Sequence, residues 1–212
     1  MILNGVNLED RLRERLVPPD RLDVFLGGFD NQAMLARTGA APGPITYSAV
    51  LVPLVRRSEG WTMLLTQRAD ETPTHAGHVA FPGGRVQPED RDVIATALRE
   101  AEEETGISRA LFTPVGVYDP FVTRNHFRIT PVVALINPSF SVNADPREVA
   151  DIFETPLSYL FDAANYRHRE QHYEDETFFV RTIEHDGRNI WGVTAILIEM
   201  LLHRLFADAI MS

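Results

Sequence analysis

The chain has 212 residues, of which 44% are hydrophobic and 24% are charged. This length and composition fit one globular domain and exclude collagen-like, disulfide-framework and mostly disordered proteins. Thirty acidic and twenty basic residues give a formal net charge of −10, so nucleic acid is not expected as a partner. The chain has no cysteine, which excludes thiolate metal sites and is typical of proteins in a reducing cytoplasm.

No membrane-spanning segment is predicted. Residues 1–6 lack the basic start and the long apolar core of a signal peptide. The longest mostly apolar stretch, Ile190–Phe206, is interrupted by Glu199, His203 and Arg204. A membrane span needs about 20 apolar residues, so we expect a cytoplasmic protein with no membrane partner.

The N-terminal part is predicted to be a helical extension. Leucines at helical spacing indicate one or two helices within residues 7–37, interrupted at Pro18 and Pro19. Residues 39–44 (GAAPGP) are rich in helix breakers and indicate a linker. We therefore divide the chain into an N-terminal helical extension with its linker, residues 1–44, and a main domain, residues 45–212.

Strands and helices are predicted to alternate along the main domain. We expect first a hairpin over 45–55 and 61–66, a loop over 70–84 and a helix over 92–105. Strands over 114–118 and 129–136 and short helices over 146–150 and 156–161 follow. A second hairpin over 166–173 and 177–183 and a closing helix over 189–209 complete the chain. This order predicts an α/β (α+β) fold in which a mixed sheet lies between helices.

The predicted helix over residues 92–105 places acidic side chains where they do not favour helix stability. Glu100, Glu103 and Glu104 are spaced i, i+3 and i+4, so their carboxylates are predicted to meet on one patch, with Glu102 pointing elsewhere. Each like-charge pair costs about 0.2–0.5 kcal/mol, and the last turn of a helix disfavours anions. A divalent cation such as Mg²⁺ would offset this repulsion, because it takes carboxylate oxygens as ligands. The alternative is a solvated acidic surface.

The loop before this helix offers further candidate ligands for such a metal ion. Residues 81–84 read Phe-Pro-Gly-Gly, and glycine lets the backbone approach a ligand because it has no Cβ. A carbonyl of this loop is therefore a candidate metal ligand. The alternative is an ordinary tight turn.

Residues 99–107 (REAEEETGI) resemble the second half of the signature of the Nudix hydrolases, G-x5-E-x7-R-E-U-x-E-E-x-G-U, in which U is aliphatic. The first half departs from the signature. Five residues separate Gly84 from Asp90, which stands in place of the glutamate, and eight residues rather than seven separate Asp90 from Arg99.

Upstream residues are similar to the coenzyme A pyrophosphatase-like branch of that family. Its motif is L-L-T-x-R-[SA]-x3-R-x3-G-x-V-x-F-P-G-G, and this chain has LLTQRA at residues 64–69 and GHVAFPGG at residues 77–84. Pro73 replaces the second arginine of the motif. The resemblance covers roughly residues 45–200 and leaves the N-terminal extension outside.

The resemblance implies a Nudix αβα sandwich and a nucleotide-type small-molecule substrate. It implies Mg²⁺- or Mn²⁺-dependent hydrolysis of a diphosphate linked to a nucleoside. For coenzyme A or acyl-CoA, the products would be adenosine 3′,5′-bisphosphate and 4′-phosphopantetheine or its acyl form. Two alternatives remain open: a Nudix pyrophosphatase for another nucleoside diphosphate derivative, such as ADP-ribose or NADH, and a catalytically silent Nudix ligand-binding module.

The resemblance also assigns residues to roles. It implies catalytic roles for Arg99, Glu100, Glu103 and Glu104, metal contacts from Glu100, Glu103, Glu104 and Gly84, and substrate contacts from Arg68, Phe81 and Gly83. Glu148 begins a later acidic cluster and is a candidate distant base, the alternative being the exposed face of a short helix. The apolar stripe over Ile196–Leu205 is predicted to face either the core or a homodimer partner.

Overall fold

The computed structural model describes residues 7–70, 76–173 and 176–210; Pro73 and residues 1–6 lie outside this part of the chain. The helices are α1 (Leu8–Arg15), α2 (Leu22–Gly27), α3 (Asn31–Ala36), α4 (Val93–Thr105), α5 (Leu157–Leu160) and α6 (Gly192–Ile210). The strands are β1 (Thr46–Arg57), β2 (Gly60–Arg68), β3 (Val79–Ala80), β4 (Gly83–Arg85), β5 (Phe112–Val117), β6 (Phe121–Val122), β7 (Phe127–Ile136), β8 (Val149–Pro156), β9 (Tyr166–Tyr173), β10 (Glu176–His185) and β11 (Arg188–Trp191).

A mixed eight-stranded sheet forms the centre of the fold. β1 pairs in parallel with β7, from Thr46 opposite Phe127 to Val55 opposite Ile136. β1 also pairs antiparallel with β2 and β4, while β5 and β6 pair with β7, and β3 and β8 pair with β2. β9, β10 and β11 form a separate antiparallel sheet. The predicted α/β (α+β) class with a mixed sheet is confirmed.

The two faces of this sheet are covered by different helices. Side chains of β1 alternate between the faces, as the pleat requires. Leu51 and Val55 pack with Ile94 of α4, whereas Val52 and Leu54 lie in the cluster that includes α1 and α6. The apolar stripe of α6 is buried in that second cluster, so it faces the core. None of the helices in the described part of the chain has the length and apolar composition needed to cross a bilayer.

Helices of the N-terminal segment share the core of the main domain. Leu8, Leu12 and Leu16 belong to the same apolar cluster as α6, and Leu12 is completely buried. The Nε of Arg11 donates to the carbonyl of Leu205 at 2.8 Å, which fixes α1 against α6. The division of the chain at residue 44 stays a prediction.

The helix that carries the glutamates forms where it is predicted. Asp92 caps its start by accepting a hydrogen bond from the amide of Ala95 at 2.8 Å. Its end is closed by Gly106, which has the left-handed φ of 69° that favours glycine. Ile94, Ala97, Ala101 and Thr105 are buried, so this helix presents its predicted apolar face to the sheet.

Two predicted helices are corrected by the structure. Residues 146–150 form a turn followed by the start of β8, because the carbonyl of Asp145 accepts the amides of Glu148 and Val149 at 3.0 Å and Val149 then pairs with Arg68. Residues 189–191 belong to β11, since Ile190 pairs with Ile183. Gly192, with φ of 62°, separates this strand from the helix.

Candidate active site

A pocket of about 490 Å³ lies between the sheet and the start of α6. Strands β1 and β7 are neighbours in the sheet, β4 joins the other edge of β1, and α4 and the junction of β11 with α6 complete the walls. The lining residues are Ser48, Val50, Thr66, Arg68, His78, Val79, Ala80, Phe81, Gly83, Gly84, Arg85, Glu104, Phe127, Ile129, Glu148, Val149, Trp191, Gly192, Val193, Thr194 and Leu197.

Arg99 of α4 organises the carboxylates beside this pocket. Its Nε and Nη2 donate to the two carboxylate oxygens of Asp90 at 3.0 and 2.9 Å. Its Nη1 donates to Glu100 at 2.7 Å and to Glu103 at 3.2 Å. The bond with Arg99 is the main reason why the pKa of Asp90 lies well below its usual range. One guanidinium therefore holds three carboxylates in fixed positions.

Asp90 holds Arg99 in place, although the comparison with the signature gave Asp90 no role. Besides its bidentate contact with Arg99, it accepts the amide of Gln87 and the hydroxyl of Thr96, each at 2.9 Å. Its side chain is only 6% exposed. The segment between Asp90 and Arg99 is one residue longer than in the signature, yet the Asp90 carboxylate still contacts Arg99. The signal in the sequence is that Asp90 follows Gly84 after five intervening residues, at the position where the signature has a glutamate. Aspartate is one methylene shorter than glutamate.

Two adjacent glycines of β4 allow the chain to lie against the glutamates of α4. A Cβ on Gly84 would be 2.4 Å from the carboxylate oxygens of Glu100, so a larger residue at this position would require the Glu100 side chain to move. A Cβ on Gly83 would meet the carbonyl oxygen of Ala49 at 2.5 Å. The amide of Gly83 donates to Glu104 at 3.3 Å.

Glu104 is the glutamate of α4 that lines the pocket. Burial is the main cause that raises its pKa to about 7, and the negative charges of Glu100 and Glu148 act in the same direction. The amide of Gly83 and the positive charge of Arg68 oppose this increase. The pocket therefore holds a carboxyl that a positive charge would stabilise in its ionised form.

The three glutamates of the predicted patch have different surroundings in the structure. Glu104 lines the pocket, Glu100 lies against Gly84 with 17% of its side chain exposed, and Glu103 is 57% exposed and bonded to Arg99. Within the described ranges, no three acidic or histidine side chains are close enough together to hold an ion. Glu102 points elsewhere, as predicted, and accepts the amide of Arg109 at 3.0 Å.

The predicted substrate contacts also lie at the pocket. Arg68 lines it, and the Nε of this side chain is buried without a hydrogen-bond partner among the described residues. Phe81 is 5% exposed and contributes to both the core and the pocket wall. Gly83 lies beside Glu104. These three residues come together as the motif comparison implies, and their roles stay predictions.

Three further residues line the pocket, and the sequence assigned none of them to the site. Arg85, Phe127 and Trp191 all line it, and Trp191 makes an edge contact with the ring of His78 at 4.6 Å between centroids. Phe127 and Trp191 are far from the signature in sequence. They reach the pocket because β7 pairs with β1 and β11 lies beside β3, which only the tertiary fold determines.

Known proteins provide an independent comparison. The family model of the NUDIX domain matches residues 46–180. The uncharacterized Nudix hydrolase NudL of Photorhabdus laumondii is 37% identical over 159 residues, covering 75% of this chain and 84% of that protein. NudL of Yersinia pestis is 37% identical over 158 residues, covering 74% and 79%. Among solved structures, a MutT/nudix family protein from Enterococcus faecalis has a TM-score of 0.49 and 16% identity, covering 98% of this chain and 76% of that one.

The family match spans most of the central sheet and the whole of α4 with its glutamates. It also includes Arg68, Asp90 and the two glycines of β4. Members of this family generally use divalent ions such as Mg²⁺ or Mn²⁺. The chain therefore belongs to the Nudix hydrolases and is a pyrophosphohydrolase that acts on phosphoanhydride bonds of nucleoside diphosphate derivatives.

Proposed function

We propose that the protein hydrolyses the diphosphate bond of coenzyme A or acyl-CoA, giving adenosine 3′,5′-bisphosphate and 4′-phosphopantetheine or its acyl form. The observation that carries the proposal is the composition of the pocket, which combines charged groups with an apolar wall. Arg68, Glu104 and Glu148 are charged. The apolar lining includes Val50, Phe81, Phe127, Ile129, Val193 and Leu197.

Coenzyme A has the same division of polarity. Its diphosphate is flanked on one side by a polar nucleoside and on the other by the long, weakly polar pantetheine arm. ADP-ribose and NADH instead carry a second ribose, whose hydroxyls would lose their hydrogen bonds to water against an apolar wall. The wall therefore favours coenzyme A over the alternative substrates.

The residues on α4 and β4 fit a hard divalent cation. Glu100, Glu104 and a carbonyl of Gly84 offer oxygen ligands of the kind that Mg²⁺ and Mn²⁺ prefer. Without a nearby cation, the pKa of Glu104 is raised to about 7, so this carboxyl holds a proton more readily than an ordinary one. A bound divalent cation would stabilise its ionised form instead. Glu103 would join this set once its carboxylate leaves Arg99. When bound, the ion supplies charge neutralisation for the diphosphate and activates water.

The chain's own side chains position the reacting groups. Arg99 fixes the orientation of Glu100 and Asp90. Arg68, whose Nε lacks a partner among the described residues, is proposed to bind the diphosphate, since a guanidinium donates two parallel hydrogen bonds to phosphate. Glu148 lines the pocket together with Glu104 and is our candidate for accepting a proton from the attacking water.

A substrate panel with mass analysis of the products tests the proposal. Coenzyme A, acetyl-CoA, ADP-ribose and NADH are each incubated with Mg²⁺, with Mn²⁺ and with chelator. We expect 4′-phosphopantetheine from coenzyme A only in the presence of metal. Cleavage of ADP-ribose or NADH without cleavage of coenzyme A would contradict the proposed substrate, and so would the absence of cleavage of all four compounds.

A further inference from the structure

Arg85 is placed at the mouth of the pocket by β4. Its side chain is exposed while it lines the pocket, and its guanidinium carbon lies 5.4 Å from the centre of the Phe127 ring. The backbone is fixed on two sides, because Arg85 pairs with Ser48 of β1 and its carbonyl accepts Nη2 of Arg99 at 3.2 Å. No carboxylate from the described segments forms an ion pair with this guanidinium.

This arrangement leaves the positive charge of Arg85 at the pocket without a carboxylate partner among the described residues. A guanidinium that stacks on an aromatic face keeps its edge N–H groups available for hydrogen bonds. Those groups match the oxygens of a phosphate in a bidentate manner. Arg68 is a second guanidinium of the same pocket, and it lies near enough to Glu104 to lower the pKa of that carboxyl. The pocket thus contains two arginine side chains that can bind anionic groups.

We propose that Arg85, stacked on Phe127, binds a phosphomonoester carried by the adenosine ribose of the substrate. The inference rests on the proposed function, since coenzyme A carries a 3′-phosphate on that ribose. Arg85 directly follows Gly84, which lies against Glu100, and the same ribose is joined through its 5′-oxygen to the diphosphate. NADPH carries a phosphate on the 2′-oxygen of its adenosine ribose and shares this chemistry.

Paired substrates measure the contribution of this phosphate. Coenzyme A is compared with dephospho-coenzyme A, and NADPH with NADH, for the wild type and for Arg85→Met. A lost bidentate, charge-assisted contact corresponds to about a 10- to 100-fold change. We expect the ratio of kcat/KM for coenzyme A to that for dephospho-coenzyme A to fall by this factor, and Arg85→Lys to lose less. A corresponding fall in the NADPH to NADH ratio instead would assign the site to the 2′-phosphate.

Arg56→Met is the matched control. Arg56 also stacks on an aromatic ring, that of Trp61 at 5.9 Å, and it is outside the pocket lining. We expect this variant to keep the substrate ratios of the wild type. If Arg85→Met also keeps both ratios, or if Arg56→Met changes them equally, the inference is wrong.

A binding measurement separates this inference from the proposed function. Adenosine 3′,5′-bisphosphate and AMP are titrated calorimetrically into the metal-free protein. We expect the bisphosphate to bind more tightly than AMP to the wild type and to lose this advantage in Arg85→Met. If coenzyme A is not hydrolysed but the advantage is found, the proposed reaction fails and the phosphate site stands. Equal affinities in the wild type, together with an unchanged NADPH to NADH ratio in Arg85→Met, would overturn the site even if coenzyme A is hydrolysed.

Discussion

Replacing Glu104 with glutamine is expected to stabilise the metal-free protein while it removes metal-dependent turnover. The carboxyl is desolvated at the pocket, and Glu100 and Glu148 add like charge. Its ionised form is therefore unfavourable in the folded protein. Glutamine has nearly the same shape, keeps an acceptor for the amide of Gly83, and carries no charge.

The size of this effect follows from the two pKa values. The pKa of Glu104 rises from its ordinary value of 4.5 to about 7 on folding, a difference that corresponds to about 3 kcal/mol. A carboxyl whose pKa is higher in the folded state weakens the fold as the pH rises from about 4.5 through about 7. The gain from Glu104→Gln should therefore be about 3 kcal/mol at pH 8 and under about 1 kcal/mol at pH 5.

Urea unfolding of the metal-free protein at pH 5 and pH 8 measures this gain. Glu102→Gln is the control, because Glu102 lies on the same helix and its bonds with Arg109 lower its pKa. The control should gain nothing at pH 8. A gain by Glu104→Gln that is equal at both pH values, or that the control matches, would refute the reasoning.

Other substitutions give further tests. Gly84→Ala should displace Glu100 and reduce the Mn²⁺ affinity, measured by calorimetry, about 10-fold. Gly83→Ala should lower the unfolding free energy by about 1–3 kcal/mol, because its Cβ meets backbone atoms. Asp90→Asn should lower the unfolding free energy at pH 7 by about 3 kcal/mol. That loss should shrink as the pH falls below 3.8, since the pKa of Asp90 is depressed in the folded state. Leu12→Ala should cost about 2–5 kcal/mol within a single unfolding transition, and two separate transitions would contradict a shared core.

Local sequence patterns predicted the elements whose periodicity is strong. The helix at residues 93–105 and the long strands β1, β2 and β7 were predicted close to their observed bounds, because they carry long apolar repeats. Residues 146–150 and 189–191 were assigned as helix and are not. Their conformation is decided by pairing with distant strands: Val149 with Arg68, and Ile190 with Ile183.

The site was predictable where a short segment determines it. The direction of Glu102, away from its neighbours, follows from helical spacing alone. The separate directions of Glu103 and Glu104 do not follow, because Arg99 bonds to the first and the fold buries the second at the pocket. Arg85 was overlooked because its significance depends on Phe127, which is 42 positions away in the sequence and reaches it only through the strand order.

Anomalous diffraction from crystals soaked in manganese shows directly whether a metal ion binds between β4 and α4. We expect an anomalous peak there, within bonding distance of Glu100 and Glu104, and we expect the peak to be lost in Glu104→Gln. Crystals soaked with manganese and a diphosphate nucleotide that show no peak there would contradict the claim that these glutamates form a metal site.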